Sequence, residues 1–171
     1  MPEGCAWLPG LCLLSDFDGD WHRYEDELYR YFRRDFVVSR PTFHGRPIGH
    51  NATPVVNGKE EGFWHLVTEE QEIWKDGVVT KERLPHLQRC ERIRWPRPII
   101  EAARKDYVLV WREQHQGGQR IALTTDDFSY FVALAVRGLR LFLATAFPVE
   151  GYRRERFEKQ YNRAQREGRA L

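Results

Sequence analysis

The chain lacks the loops by which many enzymes seat a phosphate-bearing cofactor. Neither GxxxxGK[ST] nor GxGxxG occurs in it, which excludes the usual nucleotide cradles on a helix N-terminus. GxSxG and HExxH are absent too, so neither a nucleophile elbow nor a zincin helix is present. Cysteine is scarce. Cys5, Cys12 and Cys90 form an odd set with no CxxC spacing, which argues against a disulfide framework or a zinc site and fits a reducing compartment. No apolar run approaches the roughly 18 residues of a membrane span. The opening MPEGCAWLPGLCLLSD is apolar in part but lacks a basic flank and is interrupted by Pro and Gly, so it does not read as a signal peptide. The cytoplasm is the expected location.

Charge of one sign is also missing, since 27 Lys and Arg against 25 Asp and Glu leave only +2. That balance hides segregation. Residues 15–27 are acid-rich, whereas 89–120 and 152–169 are Arg-rich, and a basic face on a near-neutral protein can still bind a polyanion. Arginine far outnumbers lysine. Either bidentate phosphate contacts or a GC-rich genome accounts for this bias.

What is present is a core. A hydrophobic fraction of 42% over 171 residues suffices for one domain and excludes a disordered chain. Residues 1–19 read as a lead-in. Trp21, Tyr24, Leu28, Tyr31 and Phe32 recur at helical spacing behind Asp20, a residue suited to capping the helix. TFHGRPIGHN is a loop, and FWHLVT after Gly62 reads as a buried strand. Lys75-Asp76-Gly77 is a turn. A short helix before Trp95 and a second over about 97–105 flank Pro96 and Pro98, which interrupt any continuous helix. Four runs, 107–113, 120–124, 130–136 and 141–147, read as strands joined by tight turns at QHQGGQ and RGLR, hence antiparallel. The tail from Gly151 is a polar helix anchored by Tyr152, Phe157 and Tyr161. The expected fold is α+β: N-terminal helices packed on a four-stranded antiparallel sheet, with a C-terminal helix, residues 1–171 forming one domain.

Several residues could carry chemistry. DFDGD at 16–20 looks like a phosphatase or calcium loop, but no doubly wound pattern and no closing Glu follow; it reads as a turn and helix cap. His65, flanked by bulky apolar residues, is either a core histidine satisfied by the backbone or a general acid or base. Read as a strand, the segment places Phe63, His65 and Val67 on one face. Arg89, Arg92, Arg94 and Arg97 are either a solvated basic face or a phosphate grip that steadies a pentavalent phosphorus. Arg120 extends that set. Thr145 and Tyr130 are either sheet-favouring residues or hydroxyls that meet a phosphate. His44, His50 and Lys59 lie in or beside the preceding loop.

In order, GFWHLVT, RCERIRWPRPIIE and a run ending LATAFP before a basic tail resemble motifs of the phage- and prophage-associated members of the barnase–EndoU–colicin–RelE nuclease group, over roughly residues 60–160. The resemblance implies one or two helices before a four-stranded antiparallel sheet, and RNA cleavage without a metal or other cofactor, with tRNA among the targets. It implies catalytic positions at His65, Arg92, Arg94 and Thr145. Arg89, Arg97, Arg120, Tyr130 and Phe147 are the candidates for holding RNA, Phe147 standing where the group more often has Tyr and so limited to stacking. The implied reaction is attack of a 2′-hydroxyl on the adjacent phosphate, giving a 2′,3′-cyclic phosphate. RNA and an immunity or antitoxin protein are the expected partners, and no membrane is involved. The alternative on the same fold is an inactive RNA- or protein-binding module. A phosphatase built on DFDGD ranks far behind both.

Overall fold

The computed structural model describes residues 5–171; the first four residues of the expected lead-in lie outside them. A 3₁₀ turn at Leu14–Phe17 leads to α1, Trp21–Phe32. Asp20 caps α1 as its spacing predicts, its side chain accepting from the Arg23 amide at 3.1 Å. A π-helical turn at Arg33–Val38 ends this arm. Tyr24, Leu28, Phe32 and Phe36 are fully buried.

The short strands β1 (Thr42–Phe43) and β2 (Arg46–Gly49) form a small hairpin, and β3 (Val55–Val56) and β4 (Lys59–Glu60) form another. α2 spans Glu61–Val67, and β5 (Thr68–Lys75) and β6 (Val78–Pro85) follow as a two-stranded hairpin apart from the main sheet. α3 (Leu87–Glu91) and α4 (Pro96–Glu101) come next, separated ahead of Pro96 as the two prolines require. β7 (Val108–His115), β8 (Gly118–Thr125), β9 (Tyr130–Arg137) and β10 (Arg140–Pro148) are the four expected strands, and α5 runs from Gly151 to Arg166.

The α+β class holds, but the main sheet has six strands, not four. Its order is β1-β2-β10-β9-β8-β7. It is mixed rather than antiparallel, because β2 joins β10 in parallel through Ile48↔Leu141 and Gly49↔Phe142, and it curls into a half-barrel. The tight turns at 116–117 and 138–139 impose the antiparallel part. The parallel edge comes from residues too short in run and too rich in Gly and Pro to announce a strand.

The sheet buries both faces. Val110, Ile121, Leu123, Val132, Leu134, Leu141 and Leu143 turn towards α1–α4, while Trp111, Ala122, Phe131 and Ala133 turn towards α5. The alternation along each strand produces this division. Phe157, Tyr161 and Ala164 anchor α5, whereas Tyr152 is exposed. The last residues pair with β7, where the Leu171 amide donates to the Val110 carbonyl at 2.9 Å. Cys5, Cys12 and Cys90 are free and buried. Among the described residues no helix is long and apolar enough to cross a membrane.

Candidate active site

His65 does not lie on a strand. GFWHLV lies in the helix α2, and Thr68 opens β5, so the face shared with His65 is that of residue 61, one turn earlier. Glu61 Oε1 lies 3.0 Å from His65 Nε2. β5 begins at once after the helix, and the hairpin turns back at the Asp76-Gly77 pair to place Arg83 opposite Glu70. The His86 amide donates to the Val67 carbonyl at 2.9 Å, which pins the base of the hairpin to the end of α2. Arg83 Nη2 thereby comes within 3.1 Å of both ring nitrogens of His65, and its Nη1 lies 3.4 Å from Glu61 Oε1.

This geometry sets the state of the imidazole. Glu61 faces Nε2, while Arg83 lies equally near both ring nitrogens; in the tautomer with the proton on Nε2, the carboxylate accepts it and Nδ1 keeps its lone pair. Burial holds the ring below its ordinary pKa of 6.5, the positive charge of Arg83 pushes the same way, and Glu61 opposes both. The imidazole is therefore neutral at neutral pH, with one nitrogen fixed by a carboxylate and the other able to accept a proton. A cleft of about 260 Å³ borders this cluster, lined by Glu61, Arg83, Trp64, Thr68 and Asn57 among others.

Arg89, on α3, buttresses the same corner. It donates to the Thr68 carbonyl at 2.9 Å and the His65 carbonyl at 3.3 Å. Its guanidinium stands 5.3 Å from the centre of the Phe147 ring, and its nearest carboxylate, Glu69, is 3.9 Å away. Burial draws this guanidinium below the usual arginine range. Arg83 and Arg153 add to the effect, and Glu69 opposes it. Two guanidinium groups, Arg83 and Arg89, and two carboxylates, Glu61 and Glu69, thus share this corner.

The other expected residues are spread more widely. Thr145 is half-buried beside the bulge in β10, opposite Ala133. Tyr130 is buried, 5.3 Å from Trp95 between ring centres, and burial pushes its hydroxyl pKa up. Arg92 caps its own helix through the Gln88 carbonyl at 3.0 Å, pairs with Glu91 at 3.2 Å and lines a different cleft with Trp95, Ser129 and Arg154. Arg94 stands over Tyr31 of α1 at 5.1 Å. Arg97 donates to the Asp35 and Ser39 carbonyls at 3.0 and 2.7 Å, closing the π-helical turn. Arg120 is paired with Glu113 and covers Phe131 on the α5 side. His44 stacks on Phe43, His50 meets the edge of Phe32, and Lys59 pairs with Glu25. DFDGD is a 3₁₀ turn and helix cap.

The structure thus joins His65 to Arg89, and Arg89 to Phe147. Arg92, Arg97 and Arg120 each have their own local partners elsewhere, and Arg94 stands over Tyr31, away from His65. Glu61 and Arg83 were missed. Reading 61–67 as a helix would have found the first through its i, i+4 spacing. The second sits on a hairpin whose flanks, TEEQEIWK and VVTKERLP, are too charged to resemble strands. Comparison with protein-family models, with curated proteins and with solved structures finds no match for this chain.

Proposed function

We propose that this protein is a metal-independent endoribonuclease in which His65 is the general base. The observation that carries the reading is the Glu61–His65–Arg83 cluster. A neutral imidazole with a carboxylate on Nε2 can take the 2′-hydroxyl proton on Nδ1, and the carboxylate stabilises the imidazolium that forms. The freed oxygen attacks the adjacent phosphorus, the P–O5′ bond breaks as the 2′,3′-cyclic phosphate closes, and the leaving 5′-oxygen takes a proton from water. Arg83 turns from the ring to a phosphate oxygen, where its fork neutralises the developing charge. Arg89 adds a second positive charge behind it. DNA, lacking the 2′-hydroxyl, is not cut by this route. Transfer RNA is the proposed substrate.

A second reading, RNA binding without cleavage, draws on Arg83 itself. Its guanidinium lies against the imidazole it must release. The test is incubation of the protein with total tRNA in EDTA, followed by mapping of the product ends. Cyclic-phosphate ends that vanish in His65→Ala support the nuclease. Intact RNA together with salt-sensitive binding supports the binding module and removes His65 from catalysis.

A further inference from the structure

Three guanidinium groups converge on one ring at the far end of α1. Arg30, Arg34 and Arg94 lie 4.8, 5.0 and 5.1 Å from the centre of Tyr31. Helical spacing brings Arg30 and Arg34 to one face, one turn apart, and the π-helical turn that follows α1 continues the same surface. Arg94 arrives from the segment between α3 and α4. Each cation–ring contact is favourable, but three like charges about one ring repel one another.

Two of the three have a carboxylate. Arg30 pairs with Glu27, and Arg34 forms a two-pronged pair with the buried Asp35 at 2.6 and 3.0 Å. Arg94 has no salt bridge among the described residues, and its Nε is buried without a hydrogen-bond partner. A buried N–H left unsatisfied is costly. Beside the cluster opens a cleft of about 500 Å³ lined by Asp26, Tyr29, Arg30, Arg33, Arg34 and Val38. Val38 is 77% exposed there. Its lining joins three guanidinium groups, the Asp26 carboxylate and the uncovered Val38, next to the ring that Arg94 covers; a nucleotide unit offers a phosphate to the first and a flat base to the apolar part.

We propose that Arg30, Arg34 and Arg94, arranged around Tyr31, form a phosphate-binding site that holds the backbone of a single-stranded RNA. The phosphate supplies the acceptor that Arg94 lacks, and guanidinium forks fit its oxygens in pairs. The site rests on the ribonuclease reading only for the source of the phosphate. Its charge arrangement is independent of His65.

The test uses the full chain and two probes, inorganic pyrophosphate and a single-stranded oligoribonucleotide, in titration calorimetry. Arg94→Gln is the main variant, because it breaks no ion pair. Arg30→Gln is the second, and thermal melts of both establish that they fold. Pyrophosphate should bind the wild type and bind each variant about tenfold more weakly. The salt slope of RNA binding should fall by about 0.7 in Arg94→Gln, as expected for one lost phosphate contact. His65→Ala should bind pyrophosphate normally. If cleavage is never seen but the Arg94 dependence holds, the site stands and the nuclease reading falls. If pyrophosphate binding depends on Arg94 but RNA does not compete for it, the site serves a free phosphate and the RNA assignment is overturned. Equal pyrophosphate binding by folded wild type and both variants overturns the site itself.

Discussion

Replacing Arg83 with glutamine should shift the acid limb of the activity–pH profile to higher pH. On the proposed function the wild-type limb should mark protonation of His65 and lie below pH 6.5, because burial and Arg83 both disfavour the imidazolium. Arg83 Nη2 is 3.1 Å from the ring nitrogens. Two unit charges about 4 Å apart interact by about 1 kcal/mol in water and about 4 at an effective dielectric of 20. The side chains of His65 and Arg83 are 34% and 37% exposed, so solvent screens the pair and the lower figure applies. About 1 kcal/mol corresponds to roughly 0.7 on the pH scale. Initial rates of oligoribonucleotide cleavage between pH 4.5 and 8 would measure the shift, with a phenolic buffer series excluded and ionic strength held constant. The plateau rate should fall as well, since Arg83 is also the phosphate's partner. The linkage has a definite sign. The folded protein binds the His65 proton less readily than the unfolded chain. The associated stability is therefore complete above pH 6.5 and is lost as pH falls towards the folded value. A limb that stays in place in Arg83→Gln, or moves to lower pH, refutes the electrostatic assignment even if activity drops.

Two further predictions concern the scaffold. Asp20→Ala removes the acceptor of the Arg23 amide and should cost about 1 kcal/mol in chemical denaturation; an unchanged midpoint would show that the cap is redundant. Gly62 sits where α2 begins, and an added Cβ would lie 3.2 and 3.3 Å from the backbone oxygen and nitrogen of Asn51. Because those atoms belong to the main chain and the Asn51 carbonyl already accepts the Gly62 amide, Gly62→Ala should cost about 1–3 kcal/mol by overpacking and, on the proposed function, lower cleavage by displacing Glu61. A variant with full stability and activity would show that the 50–51 loop yields freely.

How far the fold was legible depended on where each signal lay. Local signals were reliable. The Asp20 cap, the period of α1, the four strands with their Gly-containing turns and the polar tail all reappear within a few residues of where spacing puts them. Non-local pairing was not legible: RPIG joins the main sheet through β10, far along the chain. The segment 61–67 misled for a definite reason, namely that its short bulky run, Phe63–Val67, fits a buried strand or a buried helix turn equally well. That single ambiguity hid Glu61, because only the helical reading places it against His65. The arginines failed differently. Composition marks the region as basic, yet Arg97 and Arg120 are occupied with backbone carbonyls and with Glu113, and a sequence does not reveal which guanidinium is already engaged.

The parallel seam between β2 and β10 has a consequence for how the chain assembles. β7 to β10 form by successive local hairpins, each closing a short loop. Ile48, by contrast, lies in a strand already paired locally with β1, but its other edge must wait for Leu141, far along the chain. Closures of that span come late and slow the search for the native state. During synthesis the amino-terminal half emerges first, with α2 and its Glu61–His65 pair directly downstream of the waiting strand. The cluster around His65 draws its own contacts from residues 61–89, but α2 and α3 pack on β10, so its seat is complete only once the carboxy-terminal meander is in place. A nascent or truncated chain that stops short of β10 would carry the reactive side chains without the framework that aligns them.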